Sequence, residues 1–316
     1  MIRSRQCISN SNPPRSGERL RSIFSTRTIV HRRARVPQLL LVIFVGMVSV
    51  SAFIGWSARS TVTAVYTQIS AAGLTTAPNP FAGTSPLYFA RNSVIYVVLI
   101  GALMAIVLGV QATLRDRKAA TFALILSRPV SAVGRLLGQL AALAVVLAVV
   151  LGISTMISWA SICAITGGIL GPDPTLRLGA FAALSWLLLT AFALLGMLTG
   201  TYSKKETTAL LAPFVAWSVI AFVLPQLGTA ARPVALLNPV PSIPPPSGGI
   251  FDIINVFTGP LAVTEQFKRA AGIVLQDSSV TGSPAGAIIV LVTFLAVMTF
   301  LVAATPRKRL RSALND

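Results

Sequence analysis

Six long stretches without a single Asp, Glu, Lys or Arg dominate the sequence, and they leave few folds open. They are Val36 to Ala58, Ser93 to Leu114, Leu136 to Thr166, Leu178 to Gly200, Ala209 to Thr229 and Pro284 to Ala304. Each exceeds the roughly 20 residues a helix needs to cross about 30 Å of hydrocarbon. A backbone group left unpaired in lipid costs several kcal/mol, so a spanning segment must be a helix or a strand of a closed barrel. Barrel strands alternate polar with apolar residues, and these runs do not. The expectation is an all-α, polytopic membrane protein with six transmembrane helices. Charged residues form only 11% of the chain, against about a quarter in soluble proteins. That is too little charge to cover a water-facing surface.

The 26 basic residues outnumber the 8 acidic ones, a balance that could suit nucleic acid. Their placement argues otherwise. With the N-terminus inside, 20 of the 26 fall in four segments on one side of the membrane: the tail before Val36, Arg115 to Arg135, Lys204 with Lys205, and Arg307 to Arg311. Only Arg59, Arg91, Arg177, Arg232, Lys268 and Arg269 fall on the other. Basic loops stay cytoplasmic beside anionic lipid, so both termini are expected in the cytoplasm of a multi-pass protein of the plasma membrane, with no nucleic acid partner. The chain divides into a basic tail, 1–35, and a single transmembrane domain, 36–316. Within the tail, Leu20, Ile23 and Phe24 share helical spacing, which suits either a helix lying on membrane lipids or an extended tether. The segment Thr61 to Asn92 reads as a loop with Tyr66, Tyr88 and Phe89 at the interface. Outside the fifth span, 230–283 begins Pro-rich and ends in a helical run from Leu261 to Leu275, which fits either helices dipping into the leaflet or a cap on the bundle.

The chemistry-bearing residues are sparse. His31 is the only histidine, and Cys7 and Cys163 lie two spans and more apart, so no metal set can be built and no catalytic residue is expected. The spans hold no ionisable carboxylate, Lys or Arg of the kind that binds a coupling ion at mid-membrane. None of the five lysines follows a glycine, so the chain has no phosphate-binding G-x-x-x-x-G-K-[ST] loop. Any work against a gradient must draw its energy from another polypeptide. Ser154, Thr155 and Ser158 in the third span and Thr190 in the fourth could line a route or make contacts between helices.

One cytoplasmic segment carries a specific pattern. Between the second and third spans (115–135), a charged cluster, Arg115-Asp116-Arg117-Lys118, precedes an apolar run and then Ser127-Arg128-Pro129-Val130-Ser131. Phe122, Ile125 and Leu126 would share one face of a short helix, with Arg117 and Thr121 beside it. Thr121, Leu124 to Leu126, Ser127 to Ser131 and Gly138, in this order, resemble the permease subunits of type-2 ABC transporters, especially the branch with the nitrous oxide reductase maturation permease. Ala120 and Gln139 stand where that pattern usually has Gly and Lys. Leu194-Leu195-Gly196, Lys204 to Ala209 and Leu237-Asn238-Pro239-Val240 extend the resemblance from about Arg91 to the C-terminus.

The resemblance implies a pair of permease chains, identical or not, each with six spans. An ABC ATPase subunit would dock on the loop between spans two and three and carry ATP and Mg, this chain binding no cofactor. Arg117, Lys118, Thr121, Phe122, Ile125 and Arg128 would form the docking surface, and Pro129 would set the angle into the third span. The expected function is the membrane subunit of an ATP-driven exporter. Two other classes stay open: a membrane scaffold or assembly factor that moves nothing, and an ion-coupled carrier, which the charge-free spans disfavour.

Overall fold

The computed structural model describes residues 35–75, 85–114, 132–203, 205–225, 253, 256–259, 261–277, 280 and 282–305. Six helices in these segments are long and apolar enough to cross a membrane, and no strand occurs among the described residues. The chain is a multi-pass membrane protein. The six are α1 (Arg35–Ala71), α2 (Ser93–Leu114), α3 (Ala132–Thr166), α4 (Pro172–Tyr202), α5 (Glu206–Val223) and α7 (Ala285–Ala303). A seventh helix, α6 (Val263–Val274), is 12 residues long and too short to span.

The helix α4 is the most enclosed of the six, with α2 next and α7 least. Lipid tails are as apolar as leucine, so these helices gain little by hiding from them; close packing must hold the bundle together. The α2–α4 seam shows how. A Cβ on Gly109 would fall inside 3.0 Å of the Ala193 carbonyl oxygen, and one on Gly196 inside 3.0 Å of the Ile106 carbonyl oxygen. One turn beyond Gly196, Gly200 faces the Thr113 side chain as closely. The Gly196-x-x-x-Gly200 spacing therefore lets two backbones touch where any side chain would part them.

The first helix overruns its expected end. Instead of stopping at Ala58, α1 continues as helix for 13 further residues to Ala71, so the expected loop from Thr61 begins as helix and Tyr66 lies on it. At 37 residues it is roughly 55 Å long, nearly twice the hydrocarbon thickness. Nothing in Arg59-Ser60-Thr61-Val62-Thr63-Ala64 breaks a helix. Gly73 does, at φ 69°, and the Leu74 N–H then reaches back to the Ile69 carbonyl at 3.1 Å. This is the left-handed cap that glycine allows without steric penalty. Phe44, Val48, Ser51 and Gly55 form the buried stripe of α1, against α3 and α2. Beyond Arg59 the helix is largely exposed.

The other bounds move less. α3 starts at Ala132 rather than Leu136, α4 runs from Pro172 rather than Leu178, and α5 begins at Glu206. The Thr199 hydroxyl donates to the Ala209 carbonyl at 3.3 Å across the turn from α4 to α5. Helix α6 is amphipathic: Val263, Thr264, Phe267, Ala270 and Ala271 are buried against α4, α7 and α5, while Glu265 and Lys268 pair on its outer side. It coincides with the helical run expected over Leu261 to Leu275. The tail, including Leu20, Ile23 and Phe24, and the Pro-rich stretch of 226–250 lie outside the described residues.

Candidate functional site

Arg117, Lys118, Thr121, Phe122, Ile125, Arg128 and Pro129 lie outside the described residues. The helices on either side are described, and they are joined where the loop departs: Gln139 Nε2 on α3 donates to the Ala112 carbonyl, two residues from the end of α2, at 2.9 Å. Gln139 is buried there. Gln139 thus ties the two helices that flank the loop.

The four hydroxyl residues suggested as a route separate into three settings. On α3, Ser154 and Ser158 follow each other at one turn on the buried stripe with Leu143, Leu147, Val150 and Ile162. Thr155 is turned about 100° from Ser154 and is half-buried. On α4, Thr190 is buried, and its hydroxyl meets no hydrogen-bond partner among the described residues; the same holds for Ser154 and for Ser51 of α1. A buried hydroxyl without a partner loses the desolvation energy of the group, on the order of 1–3 kcal/mol.

The structure adds residues to this group. Ser158 shares a small niche with Ser93 at the start of α2 and Ser161, walled by Ala52, Ala90, Ile162 and Ile165. Above it, Arg59 Nη1 donates to the Ile165 carbonyl at 3.3 Å. Because Arg59 meets Ile165 while Ala52 lines the niche with Ser158 and Ile162, α1 and α3 run parallel, and Ser51 stands about level with Ser154 to Ser158. Ser51, Ser93, Ser161 and Arg59 are absent from the sequence-based set. Two signals were available: the heptad-like stripe Phe44, Val48, Ser51, Gly55, and the Ser154, Ser158, Ser161 spacing of i, i+4, i+7.

A second group of polar contacts joins helices through backbone carbonyls. Both α2 and α5 contain a π-helical turn, Val97–Gly101 and Val219–Val223. Such a turn lengthens the ring of the hydrogen bond and frees a carbonyl from the regular ladder. In each, a side chain from another helix donates to a carbonyl within the turn: Trp217 Nε1 of α5 to Val98 at 3.2 Å, and the Thr264 hydroxyl of α6 to Ile220 at 3.1 Å. The α6 helix is thereby joined through α5 to α2. Trp186 Nε1 of α4 similarly donates to the Ala144 carbonyl of α3 at 2.8 Å. Pro213 lies inside α5, one and a half turns before its π turn.

A surface clasp closes the same end of the bundle. Arg91 Nη1 and Asp277 Oδ1 stand 3.8 Å apart, and the Ser85 hydroxyl donates to Gln276 Oε1 at 2.6 Å. These two pairs tie the turn before α2 to the turn after α6. Among the described residues, no three His, Cys, Asp or Glu gather in a way that could hold a metal ion. No protein-family model matches the chain, and no curated protein is similar to it.

Proposed function

We propose that this chain is the membrane-spanning permease subunit of an ATP-driven transporter, an exporter of the type-2 ABC class in the plasma membrane, with both termini cytoplasmic. It works with a second permease chain, and an ATPase subunit that binds ATP and Mg docks on the loop between α2 and α3. The observation that carries this reading is the run Arg115 to Ser131, with Ser127-Arg128-Pro129-Val130-Ser131 ahead of α3. Three features support it. Six spans match the architecture of one such subunit. The basic residues crowd the side where the loop lies. The sequence holds neither a phosphate-binding loop nor mid-span carboxylates, which disfavours a self-powered or ion-coupled carrier.

In this mechanism the loop receives force. Closure of the ATPase pair pushes on Phe122, Ile125 and the basic residues around them, and Pro129 passes the movement into α3. Because Gln139 is bonded to α2 two residues from its end, α2 and α3 move together. The test is purification of the tagged full chain in mild detergent. An ATPase with a phosphate-binding loop is expected to accompany it, and to be lost in the Phe122→Asp, Arg128→Asp double variant. A chain that purifies without any ATPase from its native membrane overturns the reading and favours a scaffold.

A further inference from the structure

We infer that the niche between α1, α2 and α3 beneath Arg59 is a hydrated inlet, binding ordered water that reaches the Ser154 and Ser51 hydroxyls in the interior of the bundle. Three observations converge on it. The first is the lining: Ser93, Ser158 and Ser161 come from two helices, in a bundle otherwise packed with leucine, valine and alanine. The second is its room, about 10 Å³ of space open to a water centre, on the order of what one water needs. The third is a pair of hydroxyls beside it, Ser154 one turn before Ser158 on α3 and Ser51 next to Ala52 on α1. Ser154 and Ser51 are 5% and 1% exposed, and neither has a hydrogen-bond partner among the described residues.

Water explains all three, because a buried water typically makes two to four hydrogen bonds to polar groups that would otherwise have none. Serines in these helices do have another choice, to donate back to their own helix. Ser49 does so to the Val45 carbonyl, and Ser161 to Ile157. Ser51 and Ser154 do not, although each has a carbonyl one turn earlier. From Arg59 to Ser51 is eight residues, roughly 12 Å along the axis, which carries the inlet well into the hydrocarbon thickness. Arg59 at its mouth puts a positive charge where water enters. This inference rests on the membrane-spanning bundle and the niche, independent of any ATPase.

The experiment uses the full chain in lipid nanodiscs, where both membrane faces meet the buffer, with Cys7 and Cys163 replaced by serine. Single cysteines at Ser158 and Ser154 are exposed to silver ion, which is smaller than water and reacts with thiolate, and unreacted thiol is then counted after denaturation. Controls are Leu147→Cys, buried in the apolar part of the same helix, and Met156→Cys, 69% exposed on the lipid side at matched depth. Silver is expected to react at least tenfold faster at Ser158→Cys than at either control, with Ser154→Cys in between. Rates at Ser158→Cys no faster than at Leu147→Cys overturn the inference. Hydroxyl-radical footprinting of the unaltered chain gives an independent measure. Oxidation of Ile162 and Ile165 above the level of Leu147 supports the inlet, and equal protection of all three refutes it.

Discussion

Replacing Gly196 by alanine drives a methyl group into the carbonyl oxygen of Ile106, at the close approach of α2 and α4. A carbonyl in a helix cannot swing aside, so α2 and α4 must part by on the order of 0.5–1 Å. A gap of that size forfeits about a quarter to a half of each dispersion contact across it. A buried side chain makes roughly 40–60 such contacts of about 0.1–0.2 kcal/mol, so each one at the seam loses on the order of 1 kcal/mol or more. With Leu189, Met197 and their neighbours sharing the gap, the loss is about 3 kcal/mol. Alanine is the better helix former by about 1 kcal/mol, leaving a net destabilisation of about 2 kcal/mol. Gly152 supplies the contrast, because a Cβ there meets nothing within 4 Å. Gly152→Ala is expected to be neutral or stabilising by up to about 1 kcal/mol. The assay is reversible unfolding in mixed micelles of mild detergent and dodecyl sulfate, followed by tryptophan fluorescence. Gly109→Ala, also against a backbone carbonyl, should rank with Gly196→Ala; Gly101→Ala, whose neighbours are the side-chain ends of Leu189 and Phe44 at 3.2 Å, should be milder. Equal midpoints for Gly196→Ala and Gly152→Ala would refute the idea that backbone contact along α2–α4 holds the bundle together.

Other substitutions probe the remaining contacts. Trp217→Phe keeps an aromatic ring but removes the donor to Val98, and should cost about 1 kcal/mol in the same unfolding assay. Thr264→Val keeps the shape while freeing the Ile220 carbonyl, and amide exchange over Val263–Val274 is expected to speed up several-fold with the transmembrane helices unaffected. Asp277→Asn weakens the clasp to Arg91; the pair is partly exposed, so the loss should stay below about 1 kcal/mol and shrink further in high salt. Arg59→Gln removes the positive charge at the mouth of the inlet, and silver should then reach a cysteine at 158 several-fold faster.

Hydropathy made the spans legible because a bilayer punishes each exposed charge, so membrane helices advertise themselves over 20 residues at a time. The end of α1 was hidden for the same reason. After Arg59 the sequence turns polar, which marks an exit from the hydrocarbon but not the end of a helix, and only Gly73 carries the stop. Helix α6 could be read from its 3.6-residue period. The π turns could not, since Val97–Gly101 and Val219–Val223 are apolar runs like those around them. Gly109 and Gly196 look like any glycines in a membrane helix until their partners across the seam are known. Among the suggested route residues, Ser154 and Ser158 fall on one buried stripe and Thr155 off it, a distinction that the helical period alone permits. Their neighbours from α1 and α2 required the three-dimensional register.

The length of α1 has a mechanical corollary. Packing grips the rod between Phe44 and Arg59, while about 18 Å of it from Arg59 to Ala71 is largely exposed. A rocking of about 10° at the gripped section sweeps the free tip through roughly 3 Å. Small rearrangements among close-fitted helices are thus magnified into a displacement large enough to register with a fluorophore placed near Leu74.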